Sequence, residues 1–224
     1  MFRLILLFIG LSIVFVSCKK KKEPAYKFHY EYFGLKQGRF IIYDAKEIIH
    51  LSDGTSDTLI YQLKTVIGDT VHDNAGRVGY KYLRYKRNSP SDSWNISDVW
   101  FTILTENRGE LIEENQRIVK LVFAPTSDKT WDGNAFNNNP KLEYSYTDVH
   151  ASQSYNGIYL DSTVTVIQED VFNLIQWRKK SEIYAKNIGL VKKHYQHLEI
   201  NNFDINNINT GKELFLTMSS YGME

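Results

Sequence analysis

The chain predicts an all-β fold: a single antiparallel curved sheet of sequential hairpins forming a half-open or closed barrel, with a two-sheet β-sandwich as the alternative. Three observations predict it. Apolar and polar residues alternate over short spans, as in half-buried strands. Turn-forming clusters such as Ser52-Asp53-Gly54-Thr55, Asp73-Asn74-Ala75-Gly76 and Ser89-Pro90-Ser91 separate those spans. Helical periodicity of convincing length is absent. A flat sheet of many strands would leave costly exposed edges, so the sheet is expected to curl.

The first element is not part of that sheet. A lone Arg3 precedes the apolar run Leu4 to Val16, followed by Ser17 and Cys18, the only cysteine of the chain. A positive n-region, a short apolar h-region and a small residue before the cut are the parts of a secretory leader. A transmembrane helix needs about 20 apolar residues, and this run stops short of that at Lys19 to Lys22. The expected organisation is a lipoprotein signal peptide over 1–17, a lipidated tether over 18–25 and one β domain over 26–224. Phe15-Val16-Ser17-Cys18 resembles the bacterial lipobox, although Phe15 stands where leucine is usual. The resemblance implies that Cys18 is acylated and partners membrane lipid. Two anchoring signals suffice for stable attachment, and the four lysines add either affinity for anionic headgroups or a solvated spacer. In Bacteroidetes-type lipoproteins, surface export resembles a rule that places acidic residues after the cysteine. Lysines stand there here, so the expected location is the periplasmic face of the outer membrane.

Within the β domain, Gly38 to Leu51 carries Phe40-Ile41-Ile42-Tyr43 and Ile48-Ile49, and the turn at 52–55 leads to a paired strand at Leu59 to Ile67. Tyr80 to Lys86 and Val99 to Thr105 alternate in the same way. Glu106 to Arg117 is rich in Glu, Gln and Leu, but Gly109 interrupts it and only Leu111 and Ile112 are apolar. It reads as turn and strand, with a helix as the alternative. Ile118 to Phe123 follows. The clearest alternation sets Leu142, Tyr144 and Tyr146 against Glu143, Ser145 and Thr147. Further strands are predicted at Ser162 to Gln168, Leu174 to Lys180, Glu182 to Tyr184, Leu190 to Leu198 and Leu214 to Met218.

Three motifs carry a family resemblance. Tyr32 to Gly38 resembles the "FPL-x-x-G" opening of Bacteroidetes outer-membrane lipoproteins, Lys129 to Asn137 their Trp-Asp-Gly-Asn box, and Glu182 to Val191 their closing "YAkGIGLV" motif. The match spans about Tyr32 to Val191, with Gly34 in place of a usual proline and Asn187 in place of a usual glycine. The motifs are structural rather than catalytic. The resemblance implies a curved periplasmic sheet of the lipoprotein-carrier kind, and fold analogy does not carry function with it.

Composition narrows the chemistry. A formal net charge of +1 falls to near neutral once Arg3 leaves with the leader, so bulk charge gives no footprint for nucleic acid. A single cysteine excludes an intramolecular disulfide and a cysteine-based metal site. Trp131-Asp132-Gly133-Asn134 with Asn137 to Pro140 clusters oxygens as a calcium loop would, but it lacks the alternating acids and distal glutamate, and turn chemistry is the expectation. His194 and His197 fall on opposite faces of a strand, which disfavours a shared metal. Asp148 and His150 could begin a triad with Ser152 or Ser154, but no nucleophile-elbow glycines flank either serine. The adjacent pairs Glu113-Glu114 and Glu169-Asp170 read as solvated faces. No catalytic residue, cofactor or metal is assigned.

Two sets of candidate sites remain. Trp94, Trp100, Trp131 and Trp177 either line a concave face that binds lipid, glycan or peptide, or simply pack the barrel. Thr58, Thr70 and Ser162 each follow an aspartate in triplets that resemble a short Bacteroidetes O-glycosylation signal. The expected function is therefore a non-enzymatic, membrane-anchored envelope lipoprotein that binds an envelope component or serves an envelope protein complex. The alternative is an envelope hydrolase acting on a glycan or lipid.

Overall fold

A computed structural model describes residues 26–224. The expected signal peptide over 1–17 and the expected lipidated tether over 18–25, with Cys18, lie outside the described residues. The chain forms twelve strands: β1 (Arg39–His50), β2 (Ser56–His72), β3 (Val78–Arg87), β4 (Asn95–Leu104), β5 (Arg108–Glu113), β6 (Gln116–Val122), β7 (Thr130–Asp132), β8 (Glu143–Tyr155), β9 (Ile158–Phe172), β10 (Gln176–Ala185), β11 (Gly189–Asn201) and β12 (Asp204–Met223). All lie in one sheet of order β6-β5-β4-β3-β2-β1-β12-β11-β10-β9-β8-β7. Every ladder is antiparallel, and β1 pairs with β12, so two six-stranded meanders meet along that ladder. The sheet curls until its two edges nearly meet. The expected barrel of hairpins is what forms, rather than the two-sheet sandwich.

The seam between β6 and β7 closes without a ladder. Val119 N–H donates to the Gly133 carbonyl at 2.9 Å, and the Trp131 indole N–H donates back to the Val119 carbonyl at 2.9 Å. Asn137 Nδ2 donates to the Arg117 carbonyl, and the Tyr146 hydroxyl bonds both N–H and C=O of Val122. Side chains thereby occupy backbone groups that an open edge would leave unpaired. Gly133 is required at this contact. A Cβ there would fall on the Tyr144 ring, which backs the seam.

Alternation places one residue set inside. Ile41, Tyr43, Leu63, Val191, Leu216 and Met218 form one buried cluster, and Tyr32, Leu121, Tyr144, Tyr146, Val164, Val166 and Tyr184 form the other. Each fully buried Val, Leu or Met contributes about 1.5–3 kcal/mol relative to exposure.

Residues 26–38 form a strap across the barrel end that carries the β4–β5, β8–β9 and β10–β11 turns. It contains a single 3-10 turn at Tyr30–Tyr32. The Tyr30 hydroxyl donates to the Glu106 carbonyl at 2.6 Å, and Asn187 N–H donates to the Glu31 carbonyl at 2.9 Å. Gly34 adopts φ +67, and a Cβ there would stand 2.7 Å from Gly189 Cα, so the position requires glycine. Asn187, at φ 60, takes the left-handed conformation that asparagine tolerates.

The structure also revises several element boundaries. The strands predicted at Leu174 to Lys180 and Glu182 to Tyr184 are one strand, β10, because Ser181 stays in register with His194, and it begins at Gln176, with Leu174 and Ile175 in the turn before it. β12 begins ten residues before the predicted Leu214, since its Asn-rich first half is exposed and lacks apolar alternation. Thr130–Asp132 is a short edge strand where only a turn was expected. Glu106 to Arg117 is turn and strand as read, not helix.

Candidate functional site

Inward positions of nine strands surround a cavity of about 80 Å³. β2 and β12 supply an apolar wall through Leu63, Leu214 and Leu216. β3 and β4 supply an aromatic wall, because Tyr82 and Trp100 are cross-strand partners whose rings lie 9° from parallel at 6.3 Å. The Arg84 guanidinium sits 4.1 Å from the Trp100 ring centroid and bonds Asp98 through Nη1 at 2.8 Å. The Trp100 indole N–H donates to Glu114.

The floor is ionic. Lys120 lies at a bulge in β6, where Gly109 and Glu110 skip a partner, and its ammonium donates to Glu182 Oε1 at 2.6 Å. Both side chains are nearly inaccessible, at 6% and 1% exposure. The Tyr184 hydroxyl donates to Glu182 Oε2 at 2.6 Å, and Lys193 Nζ stands 3.6 Å from Oε1. Burial pushes the Glu182 carboxyl up, but the ammoniums of Lys120 and Lys193 outweigh it and hold it down to about 2. For Lys120, burial alone would favour the neutral amine; Glu182 and Glu113 reverse this and raise its pKa. Burial raises the phenols of Tyr43, Tyr82 and Tyr184, which remain protonated donors. Lys193 and Arg84, which also line the cavity, are partly exposed, at 22% and 19% of their side chains.

A second polar cluster joins the strap to the barrel. Between Thr147 and Ala151 the β8–β9 register breaks, and Asp148 and His150 take positive φ of 49 and 61. The bulge sets the exposed His150 ring against the strap. Its Nδ1 lies 2.6 Å from the Tyr32 hydroxyl, which is also 2.6 Å from Ser162 Oγ. The His29 ring centroid is 4.6 Å from that of His150, and Glu31 accepts from His29 and pairs with Lys186. Burial, followed by the neighbouring His29 and Lys186, lowers the His150 pKa.

No family model matches the chain, and no curated protein does. Among solved structures it is similar to a protein described as exported, with a YmcC-like fold, from Bacteroides fragilis. That match has 11% identity and TM-score 0.42, covering 85% of this chain and 98% of the other. It is also similar to an outer membrane lipoprotein-sorting protein domain from Vibrio parahaemolyticus, at 15% identity and TM-score 0.22, over 84% and 86% of the two chains. At such low similarity, the reading of the site rests on this chain's own residues.

The four tryptophans do not share one surface. Trp100 lines the cavity. Trp94 lies under the Arg87 guanidinium at 4.2 Å in the β3–β4 connection. Trp131 is part of the seam, against Tyr144 and Tyr146. Trp177 packs on Phe172 near the β9–β10 turn, where Leu174, Ile175 and Phe203 are exposed. Thr58 and Thr70 are exposed on β2, whereas Ser162 is half-buried with its hydroxyl at Tyr32. Cys18 lies outside the described residues.

The chemical candidates divide similarly. Asp132 Oδ1 accepts from Asn134 N–H and Leu142 N–H, so its oxygen serves the turn. Among the described residues, no group of three or more His, Cys, Asp or Glu is arranged to hold a metal. His194 stacks on Phe215, while His197 is the cross-strand partner of Arg178. His150 meets Tyr32 rather than Ser152 or Ser154. Glu113 lines the cavity and Glu169 is held by Arg178 and Lys180, so neither is part of a solvated face as the sequence suggested. Sequence reasoning missed Lys120, Glu182 and Lys193. The available signal was a charge at inward positions of otherwise apolar strands, as in Ile118-Val119-Lys120-Leu121-Val122.

Proposed function

We propose that this chain is an envelope lipoprotein, anchored through acylated Cys18 at the periplasmic face of the outer membrane, whose barrel binds a ligand without transforming it. The observation that carries the binding half is the cavity behind the Trp100 and Tyr82 wall, with apolar sides and an ion-paired floor. Concave, mainly apolar sites with a few placed polar groups are the usual form of ligand pockets. Lys120, Glu182 and Tyr184 at the floor are spent on one another, which suits binding better than proton transfer. The hydrolase alternative would need a histidine directly on a serine or two uncommitted carboxylates in the cavity; here Tyr32, its pKa raised first by burial, stands between His150 and Ser162, and Glu182, which shares the cavity with Glu113, is held by Lys120 and Tyr184. An envelope protein complex, a lipid and a glycan are the candidate partners.

The test is affinity purification of the full chain from its own membrane, comparing wild type with Trp100→Ala and Cys18→Ala. The expected result is that Trp100→Ala stays in the membrane but loses a copurifying component. Cys18→Ala should appear in the soluble fraction with the barrel folded. Continued membrane retention of a lipid-modified Cys18→Ala protein would overturn the anchor, and an unchanged set of components in Trp100→Ala would overturn the site.

A further inference from the structure

The cavity wall holds three cations, Arg84, Lys120 and Lys193, and two carboxylates, Glu113 and Glu182, with Asp98 paired to Arg84 beside it. Lys120 is held at the floor, because one Glu182 oxygen takes a hydrogen bond from its ammonium and the other takes the Tyr184 hydroxyl. Lys193 is different. At 3.6 Å from Glu182 its ammonium is beyond hydrogen-bond reach, and among the described residues its three donors have no hydrogen-bond acceptor. Arg84 commits Nη1 to Asp98 and one face to Trp100, and among the described residues its remaining side-chain N–H groups have no acceptor. Both side chains are partly exposed, whereas Lys120 and Glu182 are buried at the floor.

We propose that the ligand carries an anionic oxygen group, a phosphate or carboxylate, received by Lys193 and Arg84 against the Trp100 wall. The inference rests on the binding reading above. Glu113 opposes this arrangement. It lines the same cavity and, among the described residues, has no hydrogen-bond partner, so its charge repels an incoming anion. The two residues therefore act with opposite sign. Removing the Lys193 charge weakens anion binding, and removing the Glu113 charge strengthens it. A merely structural role for either would not produce that pair of signs.

The experiment is calorimetric titration of the full chain in a neutral detergent at low salt, with hexyl phosphate, hexyl glucoside and inorganic phosphate as probes. Hexyl phosphate is expected to bind about tenfold or more tightly than hexyl glucoside, with the preference declining as salt rises. Lys193→Met should weaken hexyl phosphate by about tenfold, Glu113→Gln should tighten it several-fold, and Lys141→Met on the exposed surface should leave it unchanged. Binding of inorganic phosphate by itself supports the proposal with a free anion as the source. Binding of hexyl phosphate alone supports it with the head of a larger molecule as the source. If Lys193→Met does not fold, Lys193→Gln, Glu113→Gln and the salt dependence carry the test. Equal affinity for hexyl phosphate and hexyl glucoside would overturn the anionic assignment while leaving a binding barrel in place. So would shifts of the same sign in Lys193→Met and Glu113→Gln. Failure of every probe would overturn the proposal, and the separate membrane purification would then decide whether the barrel binds anything.

Discussion

Replacing Glu182 by glutamine tests the ionic floor of the barrel most directly. The substitution keeps shape but removes a charge that two ammoniums share, Lys120 at 2.6 Å and Lys193 at 3.6 Å. Lys120 would then sit at 6% exposure with only Glu113 as a charge partner, and the two lysines would repel each other without a mediator. Breaking a buried pair from one side costs about 3–5 kcal/mol. The carboxyl itself gives a consistent magnitude, because a fall from 4.5 to about 2 is worth about 3 kcal/mol. Lys120→Met should cost less, about 1–3 kcal/mol, because Glu182 keeps Lys193 and the Tyr184 hydroxyl. The double variant Lys120→Met/Glu182→Leu should cost less than the sum. Urea unfolding at pH 7 measures all three. The pH dependence has a definite sign: a carboxyl with a depressed folded pKa stabilises the protein above about 4.5 and loses that contribution as pH falls towards about 2. The gap between wild type and Glu182→Gln should therefore narrow across that window. The reasoning is refuted if Lys120→Met proves as costly as Glu182→Gln, or if the gap is the same at pH 3 as at pH 7.

Other outcomes follow from the strap and the seam. Gly34→Ala places a Cβ against the Ile188 and Gly189 backbone at φ +67, so melting should show a loss of more than about 1 kcal/mol. Trp131→Phe removes the indole N–H that reaches Val119, costing about 1–2 kcal/mol, with faster amide exchange confined to β6 as the signature. His150 has a lowered pKa, burial being the largest cause. An imidazole whose folded pKa is lowered stabilises the fold above its ordinary value of 6.5 and loses that contribution as pH falls below it. The protection factor of Asn187 N–H, which the Glu31 carbonyl of the strap covers, should therefore fall as pH drops below 6.5, after correction for the intrinsic pH dependence of exchange. That fall should be absent in His150→Gln. Because His194 and His197 are also lowered, a local readout is needed rather than global melting.

The fold was legible in the sequence because alternation with period two and turn chemistry are local signals. Leu142 to Thr147 announces its two faces without knowledge of any neighbour, and Asp73 to Gly76 ends a strand wherever that strand pairs. Where alternation lapses, as in the Asn-rich start of β12, the boundary was misplaced for the same reason. The candidate site was less legible. Trp100 was among the named residues, but nothing local distinguishes it from Trp131, whose indole closes the seam, or from Trp94 and Trp177. Lys120 and Glu182 are 62 residues apart. Each reads as a stray charge in an apolar strand until the order of the sheet sets them opposite one another. The sequence by itself determined that the strands are inward-apolar, turn-separated and numerous enough to curl. Only the tertiary structure decided which inward charges meet, that side chains of Trp131 and Tyr146 seal the last gap, and where a cavity is left, because closure brings distant strands into one interior and local pattern carries no information about register across it.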